Sequence, residues 1–210
     1  MKILTFAQAG KFDGIGHLKR SLVIKNMIDT DLEVLNYFYV LLDSSDNVFF
    51  KSFKESTVGN NLEEIQEKIR KIVPNLIIID FNYKNLNFKI SDLLFFIKLL
   101  NIRIIVIDGL IEFMEQVDLI FLPSFFPSVM NYYSSSNKVI SGWDCYLIDK
   151  KFFMPNKWFD GNNLLIMTGG SDFLNLGKEW PKYINEKVQT NLDLHWIVGP
   201  YAQKPEFNFK

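Results

Sequence analysis

Apolar and polar positions divide the N-terminal part of the chain into short strand-like runs separated by helical ones. Lys2-Ile3-Leu4-Thr5-Phe6-Ala7 reads as a buried first strand, and Leu18-Lys19-Arg20-Ser21-Leu22-Val23-Ile24 begins a helix. Leu32 to Leu42, rich in Val, Tyr, Phe and Leu, reads as a second strand, and Asp43 to Asn47 as a turn or loop. Leu62 to Ile69 repeats its apolar residues at spacings of three and four, which predicts an amphipathic helix stopped by Pro74 and Asn75. Leu76-Ile77-Ile78-Ile79-Asp80 is a continuous apolar run ending in an acid, as a central parallel strand buried on both faces would be. Ser91 to Leu100 reads as a mostly buried helix, Ile102 to Asp108 repeats the strand-then-acid pattern, and Asp118 to Leu122 supplies a further short strand.

Strands alternating with helices predict an α/β fold with a parallel, doubly wound sheet, which binds ligands at the C-terminal edge of its strands. Asp80, Asp108 and the residues after the first strand would meet at that edge. Pro123 to Lys138 then loses all periodicity, and residues 151–163, with Pro155 and Gly161, read as a hinge. Beyond it the pattern restarts. Leu164 to Thr168 reads as a strand, Gly169-Gly170-Ser171-Asp172 as a glycine turn, Leu176 to Lys187 as a helix with Pro181 as one place for it to open, and Leu194 to Val198 as a strand. The expected organisation is a first domain over residues 1–150, the hinge, and the start of a second α/β domain over 164–210.

Composition narrows the classes without selecting one. A hydrophobic content of 48% against 22% charged residues marks an ordered globular chain. A net charge of −1 gives no basic field for nucleic acid. The lone cysteine, Cys145, cannot form an internal disulfide, which fits a reducing compartment, and it reads as packing filler. The longest apolar region, Leu93 to Ile107, is broken by Lys98, Asn101 and Arg103, so no transmembrane segment is expected.

The richest chemistry lies in Asp13-Gly14-Ile15-Gly16-His17, between the first strand and the first helix. Glycines let a ligand approach the backbone, and a helix N-terminus attracts anions. The stretch lacks the third glycine of a dinucleotide fingerprint and the Lys-Ser/Thr of a P-loop, so a plain turn remains open. His17 is the side chain there able to exchange a proton near neutral pH. Arg20, three residues on, shares its helix face and could meet an anion or Asp13. Asp80 and Asp108 could serve a ligand or merely cap the next loop. Gly169-Gly170 suits a phosphate or a tight turn, and His195, inside an apolar strand, reads as structural. No metal-ligand spacing is present, and no metal or cofactor is expected.

Together these segments resemble the nucleotide-sugar hydrolases of pseudaminic acid biosynthesis, which act on UDP-2,4-diacetamido-2,4,6-trideoxy-β-L-altropyranose. That family belongs to a wider group of glycosyltransferase-B architecture. Gly14-Ile15-Gly16-His17-Leu18-Lys19-Arg20 is similar to its Gly-x-Gly-His-x-x-Arg motif. Asp80 with Tyr83 resembles its Asp-x-Tyr segment, Val106-Ile107-Asp108 its next strand end, and Ser141-Gly142 through Tyr146-Leu147 its approach to the hinge. Gly169-Gly170-Ser171-Asp172 resembles the glycine pair opening its second domain, and Ile197-Val198-Gly199-Pro200 the strand that follows.

The resemblance implies that His17 is a catalytic base for water attack at the anomeric carbon while UDP departs. It implies substrate contacts for Gly14, Gly16, Arg20, Asp80, Tyr83 and Asp108, and nucleotide contacts for Gly169, Gly170 and Ser171. The implied partner is a UDP-sugar and the implied location the cytoplasm. The family's second domain is longer than residues 164–210, so the expectation is an incomplete one, finished by a partner chain or a missing C-terminal segment. The alternatives are a glycosyltransferase of the same architecture and a non-catalytic half-subunit.

Overall fold

A computed structural model describes residues 1–10, 13, 15–31, 33–42, 57–123, 136–148, 161–170, 172, 174–187 and 193–206. Seven strands form one sheet: β1 (Lys2–Ala9), β2 (Leu35–Leu42), β3 (Thr57–Gly59), β4 (Leu76–Asp80), β5 (Arg103–Ile107), β6 (Leu119–Leu122) and β7 (Val139–Ser141). Their spatial order is β3-β2-β1-β4-β5-β6-β7, and every pairing is parallel. The order runs outward in both directions from the β1–β4 pair, so this Rossmann-like sheet has its topological switch point there.

Helices α1 (Gly16–Asp31), α2 (Leu62–Ile72) and α3 (Ile90–Leu99) cover the two faces. The period of two along β4 divides its apolar run between them. Ile77 and Ile79 join Leu4, Phe6, Ile65 and Leu93 in the core shared with α2 and α3. Ile78 joins Ile3 and Ile107 on the α1 face, with Ile24 and Ile28 packed against them. Asp80, two residues beyond Ile78, therefore points toward α1. At the start of helix α2 the Asn61 side chain accepts from the Glu64 N–H and donates to the Glu64 carboxylate, which also accepts from the Gly59 N–H. It ends at Val73, which takes the left-handed conformation just before Pro74.

The second unit is a parallel pair, β8 (Asn163–Met167) and β9 (Asp193–Ile197), joined through α4 (Leu176–Lys187). Trp180 of α4 meets Trp196 of β9 edge-to-face, with ring centroids 6.4 Å apart. On the other side of the pair Leu165, Met167 and Ile197 remain exposed.

Three readings need adjustment. Pro181 lies inside α4 instead of opening it; the helix begins at Leu176, where the Asp172 carboxylate receives its first N–H groups. Strand β2 starts at Leu35, later than Leu32. Strands β3 and β7 were not anticipated, because three residues each are too few to display an alternation. The 43–47 loop and residues 151–160 of the hinge lie outside the described residues, as do Gly14 and Ser171.

Candidate functional site

The site forms where β1 hands over to α1, opposite the end of β4. The Lys19 N–H bonds the Ile15 carbonyl at 2.9 Å, closing the first helical turn. His17, Arg20 and Ser21 then stand at spacings of three and four and share one helix face. Across from them, Asp80 ends β4 and pairs in register with Ala7 of β1. A β-carbon added to Gly16 would meet nothing within 4 Å, so the helix start borders open space.

The Asp80 carboxylate organises the cluster. Its side chain is 0% exposed. Oδ1 lies 2.7 Å from His17 Nδ1, 2.6 Å from Arg20 Nη2 and 3.0 Å from Arg20 Nε. Oδ2 accepts from Arg20 Nε at 2.9 Å and from Ser21 Oγ at 2.7 Å. A buried carboxylate is tolerated only when paired and hydrogen-bonded in this manner. Its oxygens are thus fully engaged within the protein. The substrate contact implied for Asp80 does not fit this burial; Asp80 holds the residues that flank the opening instead.

The geometry also selects a tautomer for His17. Nδ1 lies 2.7 Å from Asp80 Oδ1, and donation to that oxygen puts the proton on this nitrogen. Arg20 Nη2 approaches the same Nδ1 at 2.9 Å because both donate to Asp80 Oδ1. In its neutral state the imidazole then carries its lone pair on Nε2. A His whose Nδ1 is oriented by a carboxylate can accept a proton at Nε2, as a general base does.

Arg20 bridges two carboxylates. Burial opposes its charge most strongly, yet the hydrogen bonds and charges of Asp80 and Asp108 outweigh that and raise its pKa above the ordinary value. Its Nη1 donates to Asp108 Oδ2 at 2.6 Å. Asp108 directly follows β5 with φ at 56°. That left-handed conformation is one that Asp tolerates better than most residues. Asp13, the other partner considered for Arg20, accepts from Asn85 Nδ2 at 2.6 Å.

Tyr83 makes no contact with this cluster. Its hydroxyl donates to Glu112 Oε1 at 2.5 Å, and its ring meets Phe113 edge-on at 5.7 Å. The Glu112 hydrogen bond, followed by burial and the Glu112 charge, pushes the Tyr83 phenol upward; the same bond holds Glu112 below the usual carboxylate range. The pair borders a cleft of about 530 Å³ that also takes in Lys84, Gly109, Leu110 and Met114. Gly109 joins this cleft to Asp108 in the chain. An apolar cavity of about 420 Å³ lies under the α1 face, between Ile24, Ile28, Ile105, Phe121 and Leu147. Cys145 borders it with burial pushing its thiol up, and the His17 cluster does not contribute to its lining.

In the second unit Gly169 has φ at 88°, and the Gly170 carbonyl accepts from the Tyr201 N–H at 2.9 Å. The Asp172 carboxylate takes the N–H groups of Leu176 at 2.9 Å and Gly177 at 2.7 Å, so the chain's own acid caps α4. Gly199 packs directly on the glycine pair: a β-carbon there would lie 2.2 Å from the Gly169 carbonyl oxygen. His195 is exposed and meets Asn163 Oδ1 at 3.2 Å.

The structure therefore brings His17, Arg20, Asp80 and Asp108 together and leaves Tyr83 in a neighbouring cleft. Sequence reasoning missed Ser21, although its spacing of four from His17 could have shown it. It also missed Glu112, whose role depends on a fold between distant segments. Among the described residues no group of three or more His, Cys, Asp or Glu is placed to hold a metal ion. Nor, among them, is any helix long and apolar enough to cross a membrane. No protein-family model and no curated protein matches the chain.

Proposed function

We propose that this chain is a nucleotide-sugar hydrolase that releases UDP from a 2,4-diacetamido-2,4,6-trideoxyhexose. The observation that supports it is the His17–Asp80 pair at the switch point, with Nδ1 held 2.7 Å from the carboxylate. In this mechanism His17 Nε2 takes a proton from water, whose oxygen bonds to the anomeric carbon. The bond from that carbon to the β-phosphate oxygen breaks, and its electron pair leaves with UDP. Asp80 stabilises the imidazolium that forms, while Arg20 and Ser21 keep Asp80 in place. UDP is a good leaving group, so a base contributes more here than a strong acid.

The sugar lies against Gly16, Asp108 and the Tyr83 cleft in this reading, and residues 169–171 supply part of the nucleotide contacts. In this reading the reaction belongs to surface-polysaccharide or nonulosonic acid biosynthesis in the cytoplasm, a reducing compartment that the lone Cys145 fits. The test is incubation with the UDP-linked diacetamido sugar. UDP release without an acceptor supports hydrolysis; release only with an acceptor sugar assigns a transferase instead. Binding without release in either case makes the chain a non-catalytic subunit.

A further inference from the structure

We propose that Asp108 is a specificity-determining residue that screens the opening beside His17 against anions, by occupying the outward nitrogen of Arg20. The proposal goes beyond the hydrolase reading and stands whether or not a UDP-sugar is the substrate.

The guanidinium divides its nitrogens between two unlike carboxylates. Nε and Nη2 are committed to Asp80, which is 0% exposed, whereas Nη1 holds Asp108, which is 41% exposed. The inner acid neutralises Arg20, and the outer acid adds a surplus negative charge at the surface. Two carboxylates against one guanidinium leave the cluster with a net formal charge of −1 while His17 is neutral.

The position of that charge is set by the backbone. Asp108 sits at φ 56°, and its N–H donates to the Phe121 carbonyl at 2.8 Å, which ties it to β6. An anion approaching Arg20 must displace this carboxylate or lie beside it. A like charge within about 4–6 Å disfavours a second one by roughly ten- to a thousand-fold. Solvent screening at a partly exposed rim brings that to the lower end, about tenfold. A substrate carrying both a sugar and a diphosphate would then turn its uncharged ring toward Asp108 and its phosphates away from Arg20.

The chain contains two histidines, so His17 can be followed by NMR with His195 of β9 as an internal reference. Inorganic phosphate is titrated at constant pH, with chloride holding ionic strength fixed. The native His17 ring signal is expected to show no saturable shift. Asp108→Asn, which keeps side-chain size and tolerance of positive φ, is expected to gain one, with a dissociation constant at least about tenfold below the native limit. Asp108→Gly, favoured by the same backbone conformation, replaces it if the Asn variant does not fold. A saturable native response equal to that of the variants overturns the proposal, as does a folded variant that gains none. Neither readout needs turnover. UDP release by a chain whose native His17 responds to phosphate sinks only the screen, and a working screen without UDP release sinks only the hydrolase reading.

Discussion

Replacing Asp80 by Asn tests whether one buried carboxylate anchors the whole cluster. The side chain has no exposed surface and accepts from His17, Arg20 and Ser21. Removing one partner of a buried charge pair costs about 3–5 kcal/mol. Arg20 is 20% exposed and keeps Asp108, so the lower end applies, about 3 kcal/mol. With a urea slope of about 2 kcal/mol per molar, the unfolding midpoint falls by roughly 1.5 M. Asp108→Asn is the contrast. That carboxylate is 41% exposed and engages Arg20 at the surface, where an ion pair contributes only about 0.2–1 kcal/mol, or less than about 0.5 M in midpoint. Equilibrium urea unfolding followed by circular dichroism compares the two. Equal shifts, or an Asp80→Asn midpoint within about 0.5 M of the native one, would refute the argument that burial makes Asp80 the anchor.

His17→Asn is expected to lower UDP release by about 10²–10⁴ with the urea midpoint nearly unchanged, and turnover equal to the native chain would remove His17 as the base. Tyr83 is expected to ionise above the ordinary phenol value of about 10, and Glu112→Gln to bring it back down, followed by ultraviolet absorbance. The raised phenol makes its contribution to stability complete below its unfolded pKa and lost as pH climbs through the folded one. The depressed Glu112 contributes above its unfolded pKa and loses that as pH falls through its folded value. The Tyr83–Glu112 bond should therefore persist between the two, and an unshifted Tyr83 titration would contradict it. Gly199→Ala would place a methyl group 2.2 Å from the Gly169 carbonyl oxygen, so amide protection in β8 and β9 should drop while the seven-stranded sheet keeps its own. Unchanged exchange at Ile166 and Ile197 would show that the glycine contact does not hold the second unit together.

What the sequence disclosed followed the strength of its periodicity. Leu76 to Asp80 was legible to the residue, because a run of aliphatic side chains ending in an acid has few other uses. The meeting of His17, Asp80 and Asp108 was legible too, since parallel strands bring their C-terminal ends to one edge. The division of labour within that cluster was not. Burial separates the inner Asp80 from the outer Asp108, and nothing in two similar strand-end patterns distinguishes an interior strand position from a left-handed residue just beyond one. Helix α4 has the bounds read from the sequence, Leu176 to Lys187, and its other possible start, Pro181, is not used for a local reason. Pro favours a first turn, but Asp172, four residues before Leu176, set the true start of the helix by receiving its free N–H groups.

The same ion cluster bears on how β4 finds its place. Leu76, Ile77, Ile78 and Ile79 present nearly equivalent aliphatic side chains to both faces, so sliding this strand by one residue along β1 changes little for the apolar layers. A slip of one inverts the facing of every side chain, however, and would drive the Asp80 charge into the layer formed with α2 and α3, away from Arg20 and Ser21. The acid at the end of an otherwise uninformative run thus acts as the index mark of the sheet's central pairing. Asp80→Leu, which removes the mark while keeping the grease, is expected to give a folded chain with doubled amide signals along β4, and a single sharp set would show that register is fixed elsewhere.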